Sequence, residues 1–252
     1  MATPLAASFD LPFVEQAEFL RKKLDLPTQR WDDIWKSAHD RYFVVAGATK
    51  ADLLADLHAA AQKAIDSGTT LETFRKNFRG IVAKHGWHGW AGEASQAGEN
   101  WRTRVIYETN LRTSYAAGRY VQLTDPELLS RRPYWRYVHA DGVRYPRPQH
   151  VAWNGLTLRH DHPFWQTHYP PNGWGCNCYV VSVREPASGD PTVAPEGWDK
   201  VSEKTGDPPG IDKGWGYAPG ASQAEALRRI VEEKAVKYPP ALAKDFMAAM
   251  ER

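Results

Sequence analysis

The stretch RPYWRYVHADGVRYPRPQHVAWNGLTLRHDHPFWQTHYPPNGWGCNCYVVSV, residues 132–183, decides how the chain is read. It opens on a short aromatic run, YWRYVH at 134–139, followed by Asp141-Gly142, a strong turn signal. It closes on YVVSV at 179–183, a second strand candidate rich in β-branched residues. The interval between them is crowded with His, Trp and Pro and lacks helical periodicity. Long irregular stretches inside compact domains are usually functional or pinned by specific contacts. The expected centre is therefore a small antiparallel sheet with long irregular loops.

On the N-terminal side the chain reads as helical. Phe13, Ala17, Leu20 and Leu24 recur at three- and four-residue spacing, and Pro27 closes that segment. A second helix is predicted from a Thr49 cap, with Leu53, Leu57, Ala60 and Ala64 as its stripe and Gly68 as its stop. A third opens on a capping box, Thr69 to Glu72. The Gly-rich stretch 85–100 reads as a loop, and a longer helix is predicted from about Trp101 to Val121. On the C-terminal side, EPASGDPTVAPEGW and TGDPPGIDKGWGYAPG form an extended Pro/Gly-rich arm. A terminal helix follows, with Ser222 and Glu225 as its capping box and Pro239-Pro240 as its end. The fold class is α+β, with a helical N-terminal region at 1–100, a core domain at 101–185, and the arm and terminal helix at 186–252.

Composition narrows the function. The chain has 252 residues, with 32 Lys and Arg against 30 Asp and Glu, so its net charge of +2 does not announce a nucleic-acid binder. The first fifteen residues lack a basic region followed by an apolar one, so no signal peptide is expected. No apolar run approaches membrane-spanning length, so no membrane partner is expected. Two cysteines make no disulfide framework, and a reducing cytoplasm is the default setting.

Those two cysteines, Cys176 and Cys178, stand one residue apart, too close for an unstrained disulfide. Thiolate and imidazole are the preferred zinc ligands, and structural zinc sites take four. Cys176, Cys178 and His150 form the candidate metal set, with His160, Asp161, His162 or His168 able to complete it. The competing reading is two small buried cysteines with packing roles. A catalytic thiol has histidine bases nearby but matches no protease or redox spacing. Arg136, Asp141, Arg144, Arg147 and His150 form a second constellation, suited to phosphate binding with acid–base chemistry or to an arginine–aspartate network that braces a loop. His85 and His88 are expected to be surface or packing residues. Phosphate-loop, nucleophile-elbow and H-E-x-x-H motifs are all missing from the sequence.

Taken in order, the motifs resemble the phage Mu protein F family of minor head proteins, also called head morphogenesis proteins. The family's T-N-x-R-x-x-Y-x-x-G-R element is matched by Thr109, Asn110, Arg112, Tyr115, Gly118 and Arg119. Its R-P-x-W-x-Y strand is matched by Arg132, Pro133, Trp135 and Tyr137, and R-P-x-H by Arg147, Pro148 and His150. Asp161, Pro163, Phe164 and Trp165 match D-x-P-F-W. Pro170, Pro171, Gly173, Trp174, Cys176 and Cys178 match P-P-x-G-W-x-C-x-C. Asn177 and His162 depart from the pattern, which often has arginine and an acidic residue there. The resemblance implies a motif core of Arg112, Arg119, Arg136, Asp141, Arg147, His150, Asp161, Trp165 and Trp174. It implies a non-enzymatic component of a tailed-phage or prophage head, located in the virion and assembling with portal, major capsid or scaffold proteins. It strengthens the zinc reading of Cys176, Cys178 and His150. Two other functions remain open: a nuclease or toxin-like hydrolase using Arg136, Arg147 and His150, and nonspecific DNA contact by Arg131, Arg132, Arg136, Arg144 and Arg147 with nearby aromatic rings.

Overall fold

The computed structural model describes residues 13–141 and 145–223. In chain order the elements are α1 (Val14–Arg21), β1 (Leu24–Asp25), α2 (Ala38–Arg41), β2 (Tyr42–Phe43), α3 (Ala51–Asp66), α4 (Leu71–His85), α5 (Gln96–Leu123), α6 (Pro126–Arg131), β3 (Tyr134–Val138), α7 (Pro148–Ala152), β4 (Thr157–Arg159), α8 (Phe164–His168) and β5 (Tyr179–Val183). The fold is α+β, with helices leading and a three-stranded antiparallel sheet in the centre.

The N-terminal helices form because their apolar residues recur on one face and can be buried together. Leu53, Leu54 and Leu57 of α3 meet Phe74 and Phe78 of α4, closed by Leu20, Phe43, Trp87, Trp90 and Ile106. The second core gathers Trp135, Tyr137, Trp153, Phe164, Trp165, Tyr169 and Val180, with Ile211 and Trp215 from the arm. Helix α5 serves both cores: Ile106 belongs to the first, Ala116 and Leu123 to the second. Its 28 residues span about 42 Å at ~1.5 Å per residue. Helix α1 lies so close to α5 that a Cβ at Gly118 would stand 2.7 Å from the Gln16 backbone nitrogen, which explains the glycine.

The sheet order is β4-β3-β5. Trp135 pairs with Leu158, Tyr137 with Val180, and Val138 with Tyr179. On β3, Trp135 and Tyr137 are buried and their neighbours are half-buried, the alternation of a strand with one face on a core.

Several local expectations shift. The cap of α3 is Lys50, with no side-chain bond, in place of Thr49. The cap of α4 is Thr70, whose hydroxyl accepts from the Thr73 N–H, so the Thr69–Glu72 box is displaced by one residue. Gly68 does terminate α3, at a positive φ of 60°. Helix α5 starts at Gln96, where a loop was expected, because Ser95 caps it by accepting from Gly98 N–H. The central interval also holds β4, α7 and α8, each of five residues or fewer and too short to show a period. In place of the expected extended arm, residues 186–220 run through successive turns and bends, and the segment ties back to α2, where Gly220 N–H and the Ser222 hydroxyl both donate to Asp40. The predicted terminal helix falls almost wholly outside the described residues. Among the described residues, no helix is long and apolar enough to cross a membrane.

Candidate metal centre

Two segments converge where the sheet meets the arm. Helix α7 starts with Pro148 at a position where the missing N–H costs nothing, and carries His150 inward to 2% exposure. The loop before β5 brings in Cys176 and Cys178, both buried and both free thiols. His150 Nδ1 lies 3.6 Å from Cys176 Sγ and 3.7 Å from Cys178 Sγ. The three donor atoms are all within 4.8 Å of one another.

These spacings suit ligation as well as an S–H···N hydrogen bond. With Zn–N of about 2.05 Å and Zn–S of about 2.3 Å, the nitrogen–sulfur edge of a tetrahedron is about 3.6 Å. Both observed separations match that edge. The tautomer also fits. His150 Nε2 stands 2.8 Å from the Gly210 carbonyl, which can only accept, so Nε2 carries the proton and Nδ1 offers its lone pair to the thiols. A ligating imidazole whose other N–H is held by a carbonyl is the usual supporting arrangement of metal sites. The donor set therefore fits a zinc ion.

The electrostatics favour a thiolate here. Cys178 is drawn down to about 3, chiefly by the hydrogen bond from Cys176 and also by the Ala140 N–H, against the effect of burial. Cys176 is pushed well above the ordinary thiol range by that same bond and by burial. Tyr137 donates its hydroxyl to Asn172 Oδ1 at 3.0 Å, and burial first, then the neighbouring cysteines, hold it protonated. A cation between the sulfurs would let both act as thiolates.

The residues expected to complete the shell lie elsewhere. His160 Nδ1 faces the Pro133 carbonyl, and His162 Nδ1 accepts from Phe164 N–H. Asp161 pairs with Arg159 on the surface. His168 stacks on Phe164 at 4.0 Å and bonds Thr167, while Trp153 stacks on His150 and meets His168 edge-on. His139, which the sequence reading did not place here, has its Nδ1 3.4 Å from Cys178 Sγ.

The described members of the arginine constellation are not gathered into one site. Arg136 pairs with Asp190 and donates to Thr157. Arg147 pairs with Asp212 at 2.6 Å and donates to the Trp174 carbonyl. Asp141 is exposed. Arg112 pairs with Glu108, and Arg119 donates to Gln122. Trp165 is buried and donates to the Arg159 carbonyl, whereas Trp174 stays 42% exposed against Trp31 and Trp215. Asp190 and Asp212, the carboxylates that engage the central arginines, come from the arm. His85 and His88 pair with Asp56 and Glu93.

Comparison with known proteins agrees with these motifs. The family described as Phage Mu protein F like protein matches residues 55–181, half of the chain, from α3 into β5. The chain is 35% identical over 187 residues to the protein named Putative capsid assembly protein F of Escherichia phage Mu, covering 71% of this chain and 42% of that protein. It is 39% identical over 162 residues to the Mu-like prophage FluMu F protein of Haemophilus influenzae, covering 63% of this chain and 38% of that one. The chain thus spans about two fifths of these relatives' length. No solved structure matches. His139, His150 and both cysteines all lie inside the matched segment, and the chain belongs to the phage Mu protein F-like family.

Proposed function

We propose that this chain acts in head morphogenesis of a tailed phage or prophage, as a minor head protein working near the portal. The observation that carries this reading is its likeness to the protein named for capsid assembly in phage Mu. Its partners are then the portal, the major capsid protein or a scaffold, its setting is the virion or its assembly site, and it has no enzymatic role of its own. The core domain at 101–185 carries the motif core, with 1–100 and 186–252 as flanking regions. The test is co-purification: the chain should travel with procapsids or portal rings, and free sedimentation in an infected-cell extract would count against it.

The cofactor is zinc, held by Cys176, Cys178 and His150, and its role is to fix the loops of the second core. Elemental analysis should find about one zinc per chain, consistent with a single site. The Cys176→Ser, Cys178→Ser double variant should lose it.

The nuclease reading has less support, because Arg136 and Arg147 are each engaged by a carboxylate and both nitrogens of His150 are committed. Purified protein should not cleave DNA or RNA. Cleavage that disappears in His150→Ala would reverse that conclusion. DNA contact would rest on Arg131, Arg132, Arg136 and Arg147. Arg131 pairs with Glu127 on the surface, whereas Arg132 donates to the neutral Ser182 carbonyl and keeps its charge. The fifth arginine, Arg144, lies outside the described residues. Binding that held constant between low and moderate salt would rule out phosphate contact.

A further inference from the structure

We propose that His139 is the fourth ligand, closing the centre as a two-thiolate, two-imidazole zinc clamp; this rests on the zinc reading above. The sheet itself puts His139 in place. Val138 pairs with Tyr179, so His139, the next residue past the end of β3, follows the pair on the side where Cys178 precedes β5. The Asn154 side chain accepts from the His139 N–H at 3.0 Å and fixes the backbone there. The Ala140 N–H supports the Cys178 sulfur from the same turn. His139 Nδ1 comes within 3.4 Å of that sulfur, close to the ~3.6 Å tetrahedral edge. It lies outside the group of three mutually close donors, so coordination requires the ring to turn toward Cys176 and His150. His139 is half-buried.

Elimination points the same way. His160, His162 and Asp161 are committed elsewhere, Asp212 is held by Arg147 and by the Trp174 N–H, and His168, whose buried Nε2 has no partner, stands outside the group of donors close enough to share an ion. Structural zinc sites are closed by four protein ligands. With His139 included, one ion joins the end of β3, helix α7 and the loop before β5. Through His150 Nε2 it also bears on Gly210 in the arm.

The experiment loads the whole chain with cadmium, a tetrahedral zinc substitute with a magnetic nucleus, and records couplings to assigned histidine side-chain nitrogens. Couplings to Nδ1 of both His139 and His150 are expected. In parallel, competition titration should show that His139→Ala weakens zinc binding by about tenfold or more, while His160→Ala, a matched loss of a half-buried ring, leaves it within about twofold. Coupling to His150 alone, with unchanged zinc affinity in His139→Ala, would overturn the fourth-ligand assignment while leaving the zinc reading intact. Failure of wild-type protein to take up zinc or cadmium at all would overturn the zinc reading itself.

Discussion

Gly210 shows how much rests on single backbone positions. Its φ is +87°, and a Cβ there would stand 2.7 Å from Gln149 Cβ and 2.8 Å from the Trp153 ring. Its carbonyl also holds His150 in the tautomer that points Nδ1 at the sulfurs. Gly210→Ala should cost about 1–3 kcal/mol through backbone strain and clash. It should weaken zinc as well, which denaturant titration with and without the metal would separate. Lys23 makes a different point. It is 8% exposed, and burial draws its ammonium down to about 8, with Asp40 partly offsetting the effect. The folded form therefore releases its proton before the unfolded form does. Stability should rise as pH climbs from about 8 to about 10.5, by up to about 3 kcal/mol. That rise should be missing from the Lys23→Met variant in a pH series of unfolding curves.

Legibility varied from element to element for physical reasons. The stripe of α3 and the strands β3 and β5 could be read because burial on one face imposes a period. The start of α5 could not, since GEASQAGEN looks like a loop by composition and is made helical by one hydroxyl at Ser95. Ser95→Ala should therefore cost about 1 kcal/mol, read as a drop in unfolding midpoint. Elements β4, α7 and α8 were missed because three to five residues cannot display a repeat; tertiary contacts define them. At the centre, the two cysteines and His150 were visible as a cluster of zinc-type donors. His139 was not, because its place depends on the register of β3 against β5. Asp190, Asp212 and Gly210 were likewise invisible, since nothing local marks which arm residue will face a distant arginine or histidine.

At the scale of the molecule, the centre links the sheet to the arm. If zinc binds as proposed, the ion at about a thousand times its dissociation constant would add about 4 kcal/mol to stability. Removing it with a chelator should lower the unfolding midpoint by roughly 10 °C for a chain of this size. Limited proteolysis should then cut first in the 186–210 segment, because the carbonyl of Gly210 loses a fixed partner. Unchanged melting and cleavage after verified zinc removal would show that the loops are held by packing alone.

The return of the arm to Asp40 has a mechanical consequence. Among the described residues the two cores are linked by the rod of α5 and also by the strap that runs from β5 past Gly210 to Gly220 and Ser222, with Lys36 paired to Asp207 along the way. Links in parallel resist torsion that a single helix would transmit. A load applied to one half is shared by both, and an angle between halves set at folding is kept under stress.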